Sequence, residues 1–116
     1  MTENYYKVDL HVHTPASSCY KGEKTDESYW NILKNASKNN ISAIAITDHN
    51  TIEGYEHFMK LKSDTFNEYE IVKRYNISEE DKKEIEEKVE LFKNVTIFLG
   101  VEFTLNPGVH IIVLCD

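Results

Sequence analysis

Apolar and polar residues alternate strictly over Lys7 to His13. Val8, Leu10 and Val12 interleave with Asp9, His11 and His13, the two-residue period of a pleated strand. Thr14 to Lys24 is polar and holds Pro15, Ser17, Ser18 and Gly22, which predicts a loop. Thr25 or Asp26 then caps a predicted helix running to about Asn39, with Tyr29, Trp30, Leu33 and Ala36 at three- and four-residue spacing. Ile41 to Ile46 is an apolar run rich in β-branched residues, as expected of a strand covered on both faces. Strand, helix, strand in that order is a βαβ unit and predicts parallel pairing.

The pattern is weaker in the middle of the chain. Thr51 to about Lys62 reads as a helix despite Gly54, while Ser63 to Asn76 fits no single period. Ser78 caps a charged helix over Glu79 to Lys93, with Ile85, Val89 and Phe92 as a narrow apolar stripe and Glu79, Glu80 and Asp81 favoured in its first turn. Its dense charge is a solvated face. Val95 to Thr104 and Val109 to Cys115 read as strands.

Composition narrows the function classes. The 116 residues fit one domain, spanning residues 1–116. A net charge of −7 argues against a module that grips nucleic acid through unaided phosphate contacts, though not against phosphate held through metal ions. Two cysteines, Cys19 and Cys115, are too few for a disulfide framework. The start of the chain lacks an apolar signal core and no run is long enough to cross a bilayer, so a cytoplasmic protein without membrane contact is expected.

The histidines carry the chemistry. On a strand, His11 and His13 share a face, so two imidazoles converge as a divalent metal requires. Asp48 and His49 stand where the buried run ends, and the carboxyl ends of parallel strands are where α/β proteins assemble sites. Glu102 is an acid inside an apolar strand, costly unless paired or metal-bound, and the sole arginine of the chain is Arg74. His110 opens the last strand. The link between the last two strands is too short for a parallel crossover, which predicts a hairpin. A three-residue loop, Asn106, Pro107 and Gly108, pairs Thr104 with His110 and points Glu102 and His110 the same way; a two-residue loop separates them. The three-residue arrangement is the expected one. His57, beside Phe58 in a helical pattern, is read as structural or solvated.

Asp9-Leu10-His11-Val12-His13-Thr14, Thr47-Asp48-His49-Asn50, Gly100-Val101-Glu102-Phe103 and Val109-His110-Ile111-Ile112 occur in one order, and together they resemble the PHP (polymerase and histidinol phosphatase) family. The resemblance implies an α/β fold: the N-terminal portion of a distorted (β/α)7 barrel, mainly parallel strands with a C-terminal β-hairpin. It implies His11, His13, His49, Glu102 and His110 as metal ligands, with Glu102 bridging two ions. Asp9 and Asp48 would orient the imidazoles, and Asp48 is the candidate catalytic residue. Many members carry an aspartate soon after the paired histidines; this chain has Ser17, Ser18 and Cys19 there, and Cys19 is read as a loop thiol, with a soft ligand as the alternative. The family's later ligands would lie beyond residue 116, so the chain is expected to be an amino-terminal part of the domain, and the stretch from Lys60 to Val95 exceeds what the barrel needs.

The implied function is hydrolysis of a phosphate ester by a metal-bridged hydroxide, using two or three Zn, Mn or Fe ions, which imidazole-rich ligation suits better than Mg or Ca. The alternative is an inactive metal-holding module, structural or regulatory, serving a larger protein such as an ATPase. Expected partners are a phosphorylated small molecule or nucleotide, nucleic acid only through the metals, and a second copy through an exposed sheet edge.

Overall fold

A computed structural model describes residues 5–105 and 108–115. The element order is β1 (Lys7–Val12), α1 (Asp26–Lys38), β2 (Ile41–Ile46), α2 (Glu53–Arg74), α3 (Glu79–Asn94), β3 (Thr96–Leu105) and β4 (Val109–Leu114). The strands form one curled sheet in the order β1-β2-β3-β4. β1, β2 and β3 run parallel and β4 returns antiparallel to β3. This is a mixed α/β half-barrel with mostly parallel strands and a closing hairpin, as the motif order implies.

Side-chain parity sorts the sheet into two faces. Ile44 and Ile46 of β2 join Tyr29, Leu33 and Ala36 of α1, Phe58 and Leu61 of α2, and Phe92 of α3 in one core, with Val12 and Ile97 packed against it. His11, His49 and Glu102 fall on the opposite parity. Helix packing therefore holds one face of the sheet while the other carries the candidate chemistry.

Local signals set most boundaries. The Thr25 hydroxyl accepts from the Ser28 amide and starts α1; Ser78 does the same for α3 from the Asp81 amide. Asn40 adopts a left-handed φ of 59° between α1 and β2, a conformation asparagine tolerates better than most residues. The stretch from Ser63 that fits no period is helix: α2 continues unbroken to Arg74. Ser63, Asp64, Thr65 and Asn67 are weak helix formers, but Leu61, Thr65 and Val72 are buried along one side, with α3 packed against α2. Tertiary burial overrides propensity here.

The hairpin follows the three-residue register, pairing Leu105 with Val109 and Thr104 with His110. Gly108 takes the left-handed φ of 76°; Asn106 and Pro107 of the expected loop lie outside the described residues. All six residues of β4 are exposed, including Ile111, Ile112, Val113 and Leu114, and so are Val8 and Leu10 of β1 at the other edge. No helix among the described residues is long and apolar enough to cross a membrane.

Candidate metal centre

Backbone hydrogen bonds carry the sheet past the end of β2 and bring the key residues together. The Thr47 amide donates to the Val12 carbonyl at 2.8 Å, the Glu102 amide to the Asp48 carbonyl at 3.0 Å, and the Asn50 amide to the Glu102 carbonyl at 2.9 Å. His49 thereby pairs with Glu102 as a parallel bridge. Asn50 turns the chain away immediately afterwards with a left-handed φ of 52°.

Glu102 is the hub. Its side chain is only 5% exposed, and its Oε1 lies 2.9 Å from His11 Nε2 while its Oε2 lies 2.8 Å from His49 Nε2. His13 Nε2 and His110 Nδ1 each stand 3.7 Å from Oε2. His11 and His13 face each other, Nε2 to Nε2, at 3.2 Å. The five residues expected as ligands are thus brought together. The hairpin register is what places His110 on the Glu102 side.

The donor chemistry fits a divalent cation. Four imidazoles and one carboxylate carry a single negative charge when the rings are neutral, and among the described residues the ion-pair partners of Glu102 are all histidines. A buried carboxylate needs a compensating charge. Two nitrogens on a tetrahedral Zn at bond lengths near 2.0–2.1 Å stand about 3.3 Å apart, close to the separation of the His11 and His13 nitrogens. Burial pushes the His13 imidazole below its ordinary value, outweighing the upward pull of Glu102, with His11 and His49 adding to the lowering. A neutral ring with a free lone pair is the form that ligates.

The two aspartates do not bond the rings. Asp9 Oδ1 accepts from the backbone amide of His11 at 3.1 Å. Asp48 is fully buried and both of its oxygens are engaged by Thr14, Oδ1 by the amide and Oδ2 by the hydroxyl, each at 2.6 Å. Burial pushes the Asp48 carboxyl up, and the Thr14 hydrogen bonds oppose that shift. This pair ties the start of the loop after β1 to the end of β2. Gly54 sits against it: a Cβ there would fall 2.1 Å from both Asp48 Oδ2 and Thr14 Oγ1. The glycine that weakens the helical pattern of α2 is therefore what lets that helix approach the Thr14–Asp48 clamp.

Three further residues touch the centre. The Thr104 hydroxyl lies 3.4 Å from His49 Nδ1 and 3.5 Å from His110 Nδ1; the two-residue period from Glu102 is the sequence signal that marks it. Ser17, fully buried, accepts from the His49 amide at 3.2 Å, and no sequence signal separates it from Ser18. Cys19, read as a loop thiol, lies exposed in the loop after β1, with its Sγ 3.1 Å from His13 Nδ1. His57 pairs with Asp26 at 2.7 Å and packs on Tyr29, away from the centre.

Among known families, the PHP domain matches over residues 9–116. An uncharacterized protein of Methanocaldococcus jannaschii is 44% identical over 63 residues, covering 50% of this chain and 37% of that protein. The matched stretch spans little more than a third of that relative's length. No solved structure matches.

Proposed function

Since the chain belongs to the PHP domain family, we propose that it is the metal-holding part of a phosphoesterase that hydrolyses a phosphomonoester, a nucleotide or a nucleic-acid end. The observation that carries this reading is the buried Glu102 carboxylate among the ring nitrogens of four histidines.

His11, His13, His49, His110 and Glu102 would hold divalent ions of the Zn, Mn or Fe type. Bound there, such ions lower the pKa of water towards neutrality and neutralise charge on a phosphoryl group. The residues of the chain supply the rest. The two oxygens of Glu102 face different rings, so one carboxylate serves both sides of the centre. Thr104 occupies Nδ1 of His49 and leaves its Nε2 directed at Glu102. Asp48 acts at one remove, by fixing Thr14 and with it the chain that follows His13. The rings of His11 and His110 are half exposed, which leaves the centre open to a solvent-borne phosphate group. With a net charge of −7, the chain relies on the cations to attract that group.

Release of 4-nitrophenol from 4-nitrophenyl phosphate with added Mn²⁺ tests the reading. Metal-dependent turnover that Glu102→Gln abolishes supports it. Retention of metal without turnover, in this chain and in a longer form of the protein, points to the inactive structural or regulatory module. The apolar side chains exposed along β4 support association with a second copy through that edge, which sedimentation velocity checks; a monomer at all concentrations refutes it.

A further inference from the structure

Helix α2 is longer than its packing on the sheet requires. Its residues that join the core or pack against it end at Phe66, and on α3 they are Leu91 and Phe92, near the far end of that helix. The last turns of α2 and the first turns of α3 lean instead on each other. Between them runs an open groove of about 350 Å³. Its apolar lining is Ile71 and Val72 of α2, Ile77 of the link and Ile85 of α3. Val72 is buried, but Ile71 is 53% exposed, an aliphatic side chain left in water at the groove's edge. Three acids, Glu68, Asp81 and Glu84, line the same groove. Among the described residues neither Glu68 nor Asp81 enters an ion pair. Lys88, the one cation of the lining, is already engaged, with its Nζ 3.5 Å from Glu84 and 5.1 Å from the centre of the Trp30 ring.

We propose that this groove docks a basic amphipathic helix of a partner protein, laid along α2 and α3 as the third member of a small bundle. Aliphatic lining between two packed helices is the surface that takes a helix presenting apolar residues at i, i+3, i+4 and i+7. The acids decide the sign of the partner. Lysine or arginine flanking those apolar positions would meet Glu68 and Asp81, whose charges nothing in the chain pairs, and complementary potentials of this kind select the partner and speed encounter. A polyanion is the wrong occupant: three acids in the groove and a net charge of −7 repel nucleic acid and an anionic membrane surface alike. A second copy offers no matching helix, because none of α1, α2 and α3 carries a net positive charge. A small molecule is poorly served, since no buried polar side chain among the described residues lines the groove to fix its orientation. The groove shares no residue with the Glu102 centre, so this proposal and the phosphoesterase reading fail separately.

The probe is a fluorescein-labelled synthetic helix of leucine and lysine with its leucines on one face, titrated into the full chain and followed by anisotropy and by amide NMR shifts. A scrambled peptide of the same composition and a leucine–glutamate helix are the controls. The leucine–lysine helix should bind, weaken as salt is added, and shift the amides of Ile71, Ile77, Asp81 and Ile85 most. Ile71→Ser and Glu68→Lys should each weaken it by about tenfold, while Glu86→Lys, on α3 outside the groove, should change it by less than about twofold. All three positions are exposed, and unchanged circular dichroism and thermal midpoints separate lost docking from lost fold. Absence of binding overturns the proposal, as does equal binding of the scrambled peptide or of the leucine–glutamate helix. Equal losses in Glu68→Lys and Glu86→Lys would mean attraction by net charge alone, and shifts centred on another face would place the contact elsewhere; either overturns it. Self-association of the chain that Ile71→Ser abolishes would make the occupant a second copy and equally overturns it.

Discussion

The two flanks of the Glu102 centre are built differently. On the β1–β2 flank, His49 is only 17% exposed, the Thr14–Asp48 pair behind it is fully buried, and helix α2 closes over both through Gly54. On the β4 flank, His110 is 51% exposed, stands 3.7 Å from the carboxylate, and rides a strand open to solvent along its whole length. One flank is preorganised by packing and hydrogen bonds; the other is held by hairpin register and a long contact between His110 and the Thr104 hydroxyl. Ligands braced from behind lose little freedom on binding a cation, whereas a ring on an open strand must be ordered by the cation itself.

Gly54→Ala strikes the braced flank hardest. Its new Cβ collides with both members of the clamp, and a loss of about 3 kcal/mol or more is expected in urea unfolding, at the upper end for overpacked sites. Glu102→Gln removes the hub that both flanks share; calorimetric titration with Zn²⁺ or Mn²⁺ should show affinity reduced by about 100-fold or more, exceeding the cost of losing a supporting partner. Asp48→Ala strands a buried amide and hydroxyl of Thr14, for an expected loss of about 2–3 kcal/mol, with weaker metal binding as the secondary effect.

The comparison itself is tested by single alanines in the two flanks. His13→Ala should weaken metal binding more than His110→Ala, by on the order of tenfold; equal losses would mean that the packing behind β1 and β2 contributes nothing to ligation. The smallest expected effect is on pH dependence. Burial holds the His13 imidazole below its ordinary 6.5, so the folded chain binds that proton less tightly than the unfolded one. The stability tied to neutral His13 is present above pH 6.5 and is lost as the pH falls from there through the folded-state value. The thermal midpoint of the metal-free wild type should therefore fall relative to His13→Asn over that interval, and parallel curves would refute it.

Relations within one element, or between two joined by a tight turn, are legible in the amino-acid sequence. The shared face of His11 and His13 follows from strand geometry, the caps at Thr25 and Ser78 from side-chain oxygens that satisfy free helix amides, and the common face of Glu102 and His110 from a hairpin register that Gly108 permits. Each depends on neighbours a few residues apart, whose geometry the backbone dictates. Relations between distant elements are not legible there. Only the folded chain shows that α2 runs through Ser63 to Arg74 under α3, that Asp48 grips Thr14 instead of a histidine, and that Cys19 returns to His13. Helix propensity, carboxylate partners and loop paths are weak local preferences, and burial against distant segments decides among them.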